Sequence, residues 1–472
     1  MRAKMGCLAG ALMLTTGVAL AQYPPSSPSA LLQVPVPIVP VQGTSPVPQT
    51  GPVPPPAPSS QPGKSPELLP LPAPAPGQGS GGVGPYSPVP PAPPGDYLVP
   101  AETPLHVWHA DNDFGSRFWI EGDFLLWFIK NGPLNVPLVT TGSSTDANPA
   151  ALGQPHTQVL YGDSSLNYGA IPGGRLEMGY WFDQQARFGI QAGFFLLSQE
   201  NTTYSAFSNS AGSPILSVPF FNAQTLQEDQ VPVASPGFYA GGVVVRSSSV
   251  SGGANLDGCF NVVRTSGFQV DLLGGFRFVD LRELLDIQTP DISIGSNATS
   301  GSTAYNTVDD FRTSNQFYGG QLGGRVGYHW DRLSVDLNAA VSLGSTYQSI
   351  NIDGFSTAVG PSGGPPAVSP GGIFAQPTNM GHYRGWDFTV VPEAGLKIGF
   401  QVWRNLQISA GYDFLYWSSV VRPGAQIDRE VNLSQSSLLG GGTLAGPAQP
   451  VAPLSRSDFY VHGLTLGMQF AW

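Results

Sequence analysis

From Arg117 onward the chain alternates apolar and polar residues with a period of two, and helical periodicity disappears. Ten segments follow this rule: 117–130, 172–182, 187–199, 248–263, 267–280, 315–328, 332–345, 387–402, 406–417 and 458–472. In 332–345, Leu333, Val335, Leu337, Ala339, Val341 and Leu343 share one face, and Ser334, Asp336, Asn338, Ala340, Ser342 and Gly344 the other. The segment 387–402 sets Val390, Ala394, Leu396, Ile398 and Phe400 against Glu393, Gly395, Lys397, Gly399 and Gln401. Strands with one apolar face fit a soluble sandwich or a transmembrane barrel. The connections separate the two, because they alternate strictly. Long ones (131–171, 200–247, 281–314, 346–386, 418–457) follow short ones (183–186, 264–266, 329–331, 403–405). Long loops on one rim and tight turns on the other predict an all-β, antiparallel, up-and-down transmembrane β-barrel. Ten strands are expected, with twelve as the alternative count, and both barrel ends fall on the short-turn, periplasmic rim.

The tryptophans sharpen this expectation. Trp119, Trp181, Trp330, Trp403 and Trp472 fall near the short-turn rim, and Trp127, Trp386 and Trp417 near the long-loop rim. Indole favours the headgroup level, so two aromatic belts are expected. Only Trp108 lies outside the predicted barrel.

The rest of the chain divides by composition. Arg2 and Lys4 precede the apolar run Met5 to Leu20, and Ala19-Leu20-Ala21 is a small-residue cleavage site, so 1–21 reads as a secretory signal peptide. Residues 22–104 hold 27 of the 47 prolines and only four charged residues, Lys64, Glu67, Asp96 and Glu102. Such a segment cannot bury a core and is expected to be a disordered, extended periplasmic linker, a spacer or a tether to the cell wall. Residues 105–472 are then the barrel domain. Only 11% of the chain is charged, against about 25% in soluble domains, and the net charge of −11 speaks against nucleic acid.

The last strand ends Leu464-Thr465-Leu466-Gly467-Met468-Gln469-Phe470-Ala471-Trp472. Its polar-x-Gly-x-x-aromatic-x-aromatic arrangement resembles the signal read by the barrel assembly machinery. Thr465, Gly467, Phe470 and Trp472 are its candidate residues, since an edge strand must be recognised and closed against the first strand.

No cofactor or metal is implied. Once the signal is cleaved, Cys259 remains as a lone thiol without zinc spacing. The histidines His106, His109, His156, His329, His382 and His462 fall in no known catalytic spacing, and G-x-S-x-G, H-E-x-x-H and P-loop motifs are absent. The expected reading is a non-enzyme, although a site assembled across strands is invisible to motifs. The predicted lumen face carries Glu121, Asp123, Arg175, Glu177, Asp257, Asp271, Arg277, Arg325, Asp336, Glu393, Lys397 and Asp413. These either pair into a plug or, with eight acids to four bases, line a narrow cation-preferring pore; the plug is favoured.

Several stretches carry a family resemblance: NGPLNVPLVTTGS (131–143), ALGQPHTQVLYG (151–162), GGRLEMGYWFD (173–183), GFRFVDLRE (275–283), NQFYGGQLG (315–323) and GYDFLYWSSVVRPGAQID (411–428). They resemble planctomycete outer-membrane proteins of the putative beta barrel porin-7 family over roughly 117–472. The resemblance implies an outer-membrane barrel and supplies no catalytic or ligand-binding residues. The expected function is a structural or porin-like outer-membrane barrel with large surface loops. A surface binding or adhesion protein and an outer-membrane hydrolase are the alternatives. Expected partners are outer-membrane lipid, the assembly machinery and, through 22–104, the cell wall. Deleting Phe470 to Trp472 should block insertion and leave unassembled protein in the periplasm; normal assembly of that truncation would refute the role given to this strand.

Overall fold

The computed structural model describes residues 117–298 and 301–472. The segments 1–21 and 22–104, with Trp108, His106 and His109, lie outside the described residues. In chain order the strands are β1 (Phe118–Ile129), β2 (Gly132–Thr141), β3 (Gln158–Leu166), β4 (Ala170–Trp181), β5 (Phe188–Leu197), β6 (Glu200–Phe207), β7 (Leu216–Asn222) and β8 (Gln227–Ala234). Then come β9 (Tyr239–Arg264), β10 (Phe268–Ser293), β11 (Ala304–Trp330), β12 (Leu333–Val359), β13 (Ala367–Pro370), β14 (Gly381–Trp403), β15 (Leu406–Val421), β16 (Glu430–Val431) and β17 (Arg456–Ala471). Ten of them close a ring in the order β1, β4, β5, β9, β10, β11, β12, β14, β15, β17, every neighbour antiparallel. These are the ten segments expected from alternation. The ring shuts where β17 pairs with β1, from Trp119 opposite Ala471 to Ile129 opposite Val461.

The outer face of the ring has a sharp upper edge. On β10 the outward residues Phe268, Val270, Leu272, Gly274, Phe276 and Phe278 give way to Asp280, Arg282, Leu284 and Asp286, with Asp280 covered by the Arg282 guanidinium. On β12, Leu333 to Leu343 give way to Ser345, Tyr347, Ser349 and Asn351. About ten residues per strand at roughly 3.3 Å each, tilted, make a band roughly 25 Å tall, the height of an outer-membrane hydrocarbon layer.

Near that edge the interior changes in the opposite sense. Below it the inward residues of β10 are Gln269, Asp271, Leu273, Gly275 and Arg277; above it they are Val279, Leu281, Leu285 and Ile287, with Glu283 among them as a buried ion-pair partner. Phe311 and Phe317 of β11, Ile350 and Ile352 of β12, Trp417 of β15 and Phe459 of β17 join the same buried cluster. Its contents come from the long connections. β2, β3, β7, β8 and β16 form a second, five-stranded sheet, and Leu134, Leu138, Val218 and Phe220 from it are fully buried in the core. The outer half is therefore built like a soluble protein, apolar inside and polar outside.

This corrects two expectations. The long connections are not simply loops: β9 to β12 and β14 run on above the band, because their alternation continues with the faces exchanged. The tryptophan belts are also thinner than expected. Trp330, Trp386, Trp403 and Trp472 face outward, at 71%, 63%, 67% and 61% exposure. Trp119, Trp127, Trp181 and Trp417 point inward instead. Trp127, Trp181 and Trp417 are buried, and Trp119 lines the lumen. Each of three lies over a glycine of the next strand: a Cβ at Gly179 would strike Trp119, one at Gly463 Trp127, and one at Gly189 Trp181. Glycine there makes room for an indole that a narrow ring could not otherwise enclose.

Side chains stitch the core to the wall. Arg422, leaving β15, donates to Glu283 of β10 through Nε (2.8 Å) and Nη2 (2.6 Å), and through Nη1 to the carbonyls of Lys130 and Asn131 (2.8 Å each). Both partners of this ion pair are about 1% exposed. Asn315 copies a strand edge, accepting from the Val421 N–H (2.7 Å) and donating to its carbonyl (2.8 Å). Asp309 accepts from the backbone N–H groups of Ile373, Phe374 and Ala375 at 2.7–2.9 Å. Burial pushes its carboxyl up to about 7, even though these three donors pull it down. Replacing Arg422 by Met strands Glu283 and two carbonyls, which should cost about 3–5 kcal/mol. The outer half of R422M should become protease-sensitive while the band keeps its heat-shifted migration on gels; unchanged protection would contradict this role.

Candidate functional site

The lumen is the candidate site, because alternation turns the carboxylates, arginines and lysine of the band inward, while His462 stays on the outer face against Phe128 and Tyr412. All twelve charges predicted for the lumen lie on the inner wall, where the structure places them in three groups. In the first, Lys397 of β14 reaches Glu121 (2.7 Å) and Asp123 (3.3 Å) of β1. Arg175 of β4 reaches Asp123 (2.7 Å) and Asp413 of β15 (3.2 Å), with Glu177 at 3.7 Å. In the second, Arg277 of β10 crosses to Glu393 of β14 at 2.6 Å and also donates to Asn255 (3.3 Å). Arg325 of β11 crosses to Gln191 of β5 (2.9 Å) and sits over the Trp119 ring. In the third, acids are held by neutral donors: Asp257 by Asn255 (2.7 Å), Asp271 by Asn261 (2.5 Å) and Gln269 (2.6 Å), and Asp336 by Ser334 (3.0 Å).

The carboxylates fit because glycines lie beneath them. A Cβ at Gly275 would come within 2.5 Å of Asp257 Oδ1, and one at Gly327 within 2.7 Å of Asp336 Oδ1. One at Gly467 would overlap Asp123 Oδ1 and lie 2.5 Å from Ser409 Oγ. Gly467 thus has a folded-state reason to be glycine, apart from any recognition role. Thr465 is buried beside it, donating to Asp413 and accepting from the Trp127 indole N–H (3.4 Å). Phe470 and Trp472 face outward, and the Trp472 ring packs on Phe118 at 4.8 Å.

The struts span the ring rather than follow its wall. Lys397 joins β14 to β1, and Arg175 joins β4 to β15, so both cross the seam where β17 meets β1. Between the struts remains a cavity of about 220 Å³, lined by Trp119, Glu177, Gln191, Gln321, Arg325 and His329 among others, with Trp127, Phe195 and Leu415 at its long-loop end. Among the described residues no group of three or more His, Cys, Asp or Glu is placed to hold a metal ion. Cys259 is buried. Sequence reasoning missed Gln191, Arg422 with Glu283, Asn315 and Asp309. Parity could have found Gln191; the others needed the fold.

A family model described as Putative beta barrel porin-7 (BBP7) matches residues 119–472. No curated protein matches the chain. Among solved structures, the outer membrane protease OmpT from Escherichia coli is 8% identical, covering 75% of this chain and 97% of that one, with a TM-score of 0.38. The CymD monoaromatic hydrocarbon channel is 7% identical (75% and 88% covered, TM-score 0.19), and a Pseudomonas aeruginosa FadL homologue 8% (75% and 90%, TM-score 0.18). At such values none of them informs the activity of this chain. With ten strands closed into a ring, a lipid-facing band and the family match over the whole ring, the chain belongs to the Putative beta barrel porin-7 family and is a porin-like outer-membrane β-barrel.

Proposed function

We propose that this protein is a closed, non-conducting barrel that anchors a folded cap at the outer surface of the cell. One observation carries the reading: the interior is filled twice over. Ion pairs cross the lumen inside the band, and an apolar core with Phe220, Phe311, Phe317, Phe374 and Trp417 fully buried fills the half above it. Conduction needs a continuous wet path, and ten strands enclose little more than side chains can fill. We assign the lumen no enzymatic role, since its charges are held by one another and by amides.

A binding or adhesion role for the cap is the second reading. It is favoured by the ordered sheet of β2, β3, β7, β8 and β16, which gives loops a rigid base. Export through 1–21, insertion by machinery that reads Thr465, Gly467, Phe470 and Trp472, and a cell-wall tether in 22–104 belong to the same proposal. So does a planctomycete source, supported by the segments that carry the resemblance.

In planar bilayers the folded protein is expected to give no single-channel steps; regular steps would overturn the closed reading. Removing 22–104 should abolish co-fractionation with the cell wall, and unchanged co-fractionation would rule the tether out.

A further inference from the structure

A separate polar cluster lies on the outer wall, just above the apolar band. Ser349 and Asn351 are two residues apart on β12 and so share a face. Across the ladder, His382 of β14 stands opposite Asn351, and Arg384 opposite Ser349. His382 Nε2 is 3.2 Å from Ser349 Oγ, and its Nδ1 is 3.3 Å from Asn351 Oδ1. Asn351 donates its amide to Asp353, which turns Oδ1 toward the imidazole. His382 then donates from Nδ1, and Nε2 is left to accept the serine proton. Arg384 is exposed and has no carboxylate within ion-pair distance among the described residues.

The setting gives these groups a substrate. Directly below, the tilted rings of Tyr347 and Trp386 meet at 5.2 Å, with Tyr318 at 6.3 Å from Trp386, at the upper edge of the lipid-facing band. Aromatic rings of this kind sit at the headgroup level. Ser349 lies two residues above these rings on the same face of β12, where lipid head groups meet water.

We propose that Ser349, His382 and Asn351 are the nucleophile, base and orienting group of an esterase site that cleaves carboxylic esters of lipids at the outer surface. Ser349 Oγ attacks the ester carbonyl as its proton passes to His382 Nε2. The alcohol leaves with that proton, forming an acyl-serine. Water, deprotonated by His382, releases the fatty acid and returns Ser349 to its starting state. Arg384 is placed to hold the developing oxyanion or a lipid phosphate. Nothing beyond lipid and water is consumed.

The test uses the folded protein in mixed micelles, with a fluorophosphonate probe and two substrates, a phospholipid and a neutral diacylglycerol. The expected result is covalent labelling of the wild type that S349A loses. Hydrolysis should fall at least about 100-fold in S349A and H382Q, while heat-shifted migration shows both variants folded. If Arg384 holds phosphate, R384Q raises KM for the phospholipid alone; if it holds the oxyanion, kcat falls for both substrates. Wild-type labelling and turnover no greater than those of folded S349A would overturn the proposal.

Discussion

Hydrocarbon offers no partner to a polar group, and this exclusion shapes the whole ring. For about ten residues in each strand the outward position must be apolar. Alternation then leaves the acids, arginines and lysines of the band only the inward position. A ten-stranded ring is narrow, so charges placed inside face one another across it. Lys397 reaches Glu121 and Asp123, and Arg277 reaches Glu393, because no other position satisfies them. Two of these struts also span the seam between first and last strand, so the contacts that fill the lumen also brace the closure.

Above the band the constraint is lifted, and each strand behaves as in a soluble protein. The same backbone carries Asp280 and Arg282 outward and Leu281 and Leu285 inward. The apolar interior needs material to fill it, and the long connections supply it as a second sheet. Where such a core meets the wall, buried polar groups need fixed partners, and Arg422, Asn315 and Asp309 provide the joints. The proposed closure of the barrel rests on both halves: polar struts below, a packed core above. The outer wall just over the band is then where polar side chains meet lipid head groups in the open, and Ser349 and His382 lie there.

The ring and its inner charges were legible in the sequence because a period of two needs no knowledge of neighbours. In the sequence the upper halves of β9 to β12 and β14 read as loops. Their faces exchange at the edge of the band, and a single running pattern breaks there even though the strand does not. The inward tryptophans were misplaced for a different reason. Position along the strand suggested a belt, whereas parity did not: Trp119 and Trp127 share a face with Glu121 and Asp123, and Trp417 with Asp413. The joint between Arg422 and Glu283 was beyond reach, since two residues 139 apart in sequence meet only after the connection from β15 folds into the mouth.

The exchange of faces at the edge of the band can be read residue by residue along one strand. Nitroxide labels placed singly along β10, from Phe268 to Gln288, report contact with lipid-soluble oxygen or with a water-soluble relaxant. Oxygen contact is expected at even positions through Phe278, water contact at even positions from Arg282, and protection from both at odd positions from Val279 upward. A strand whose even positions stay in lipid beyond Phe278, or whose odd positions above Val279 are open to water, would contradict the exchange.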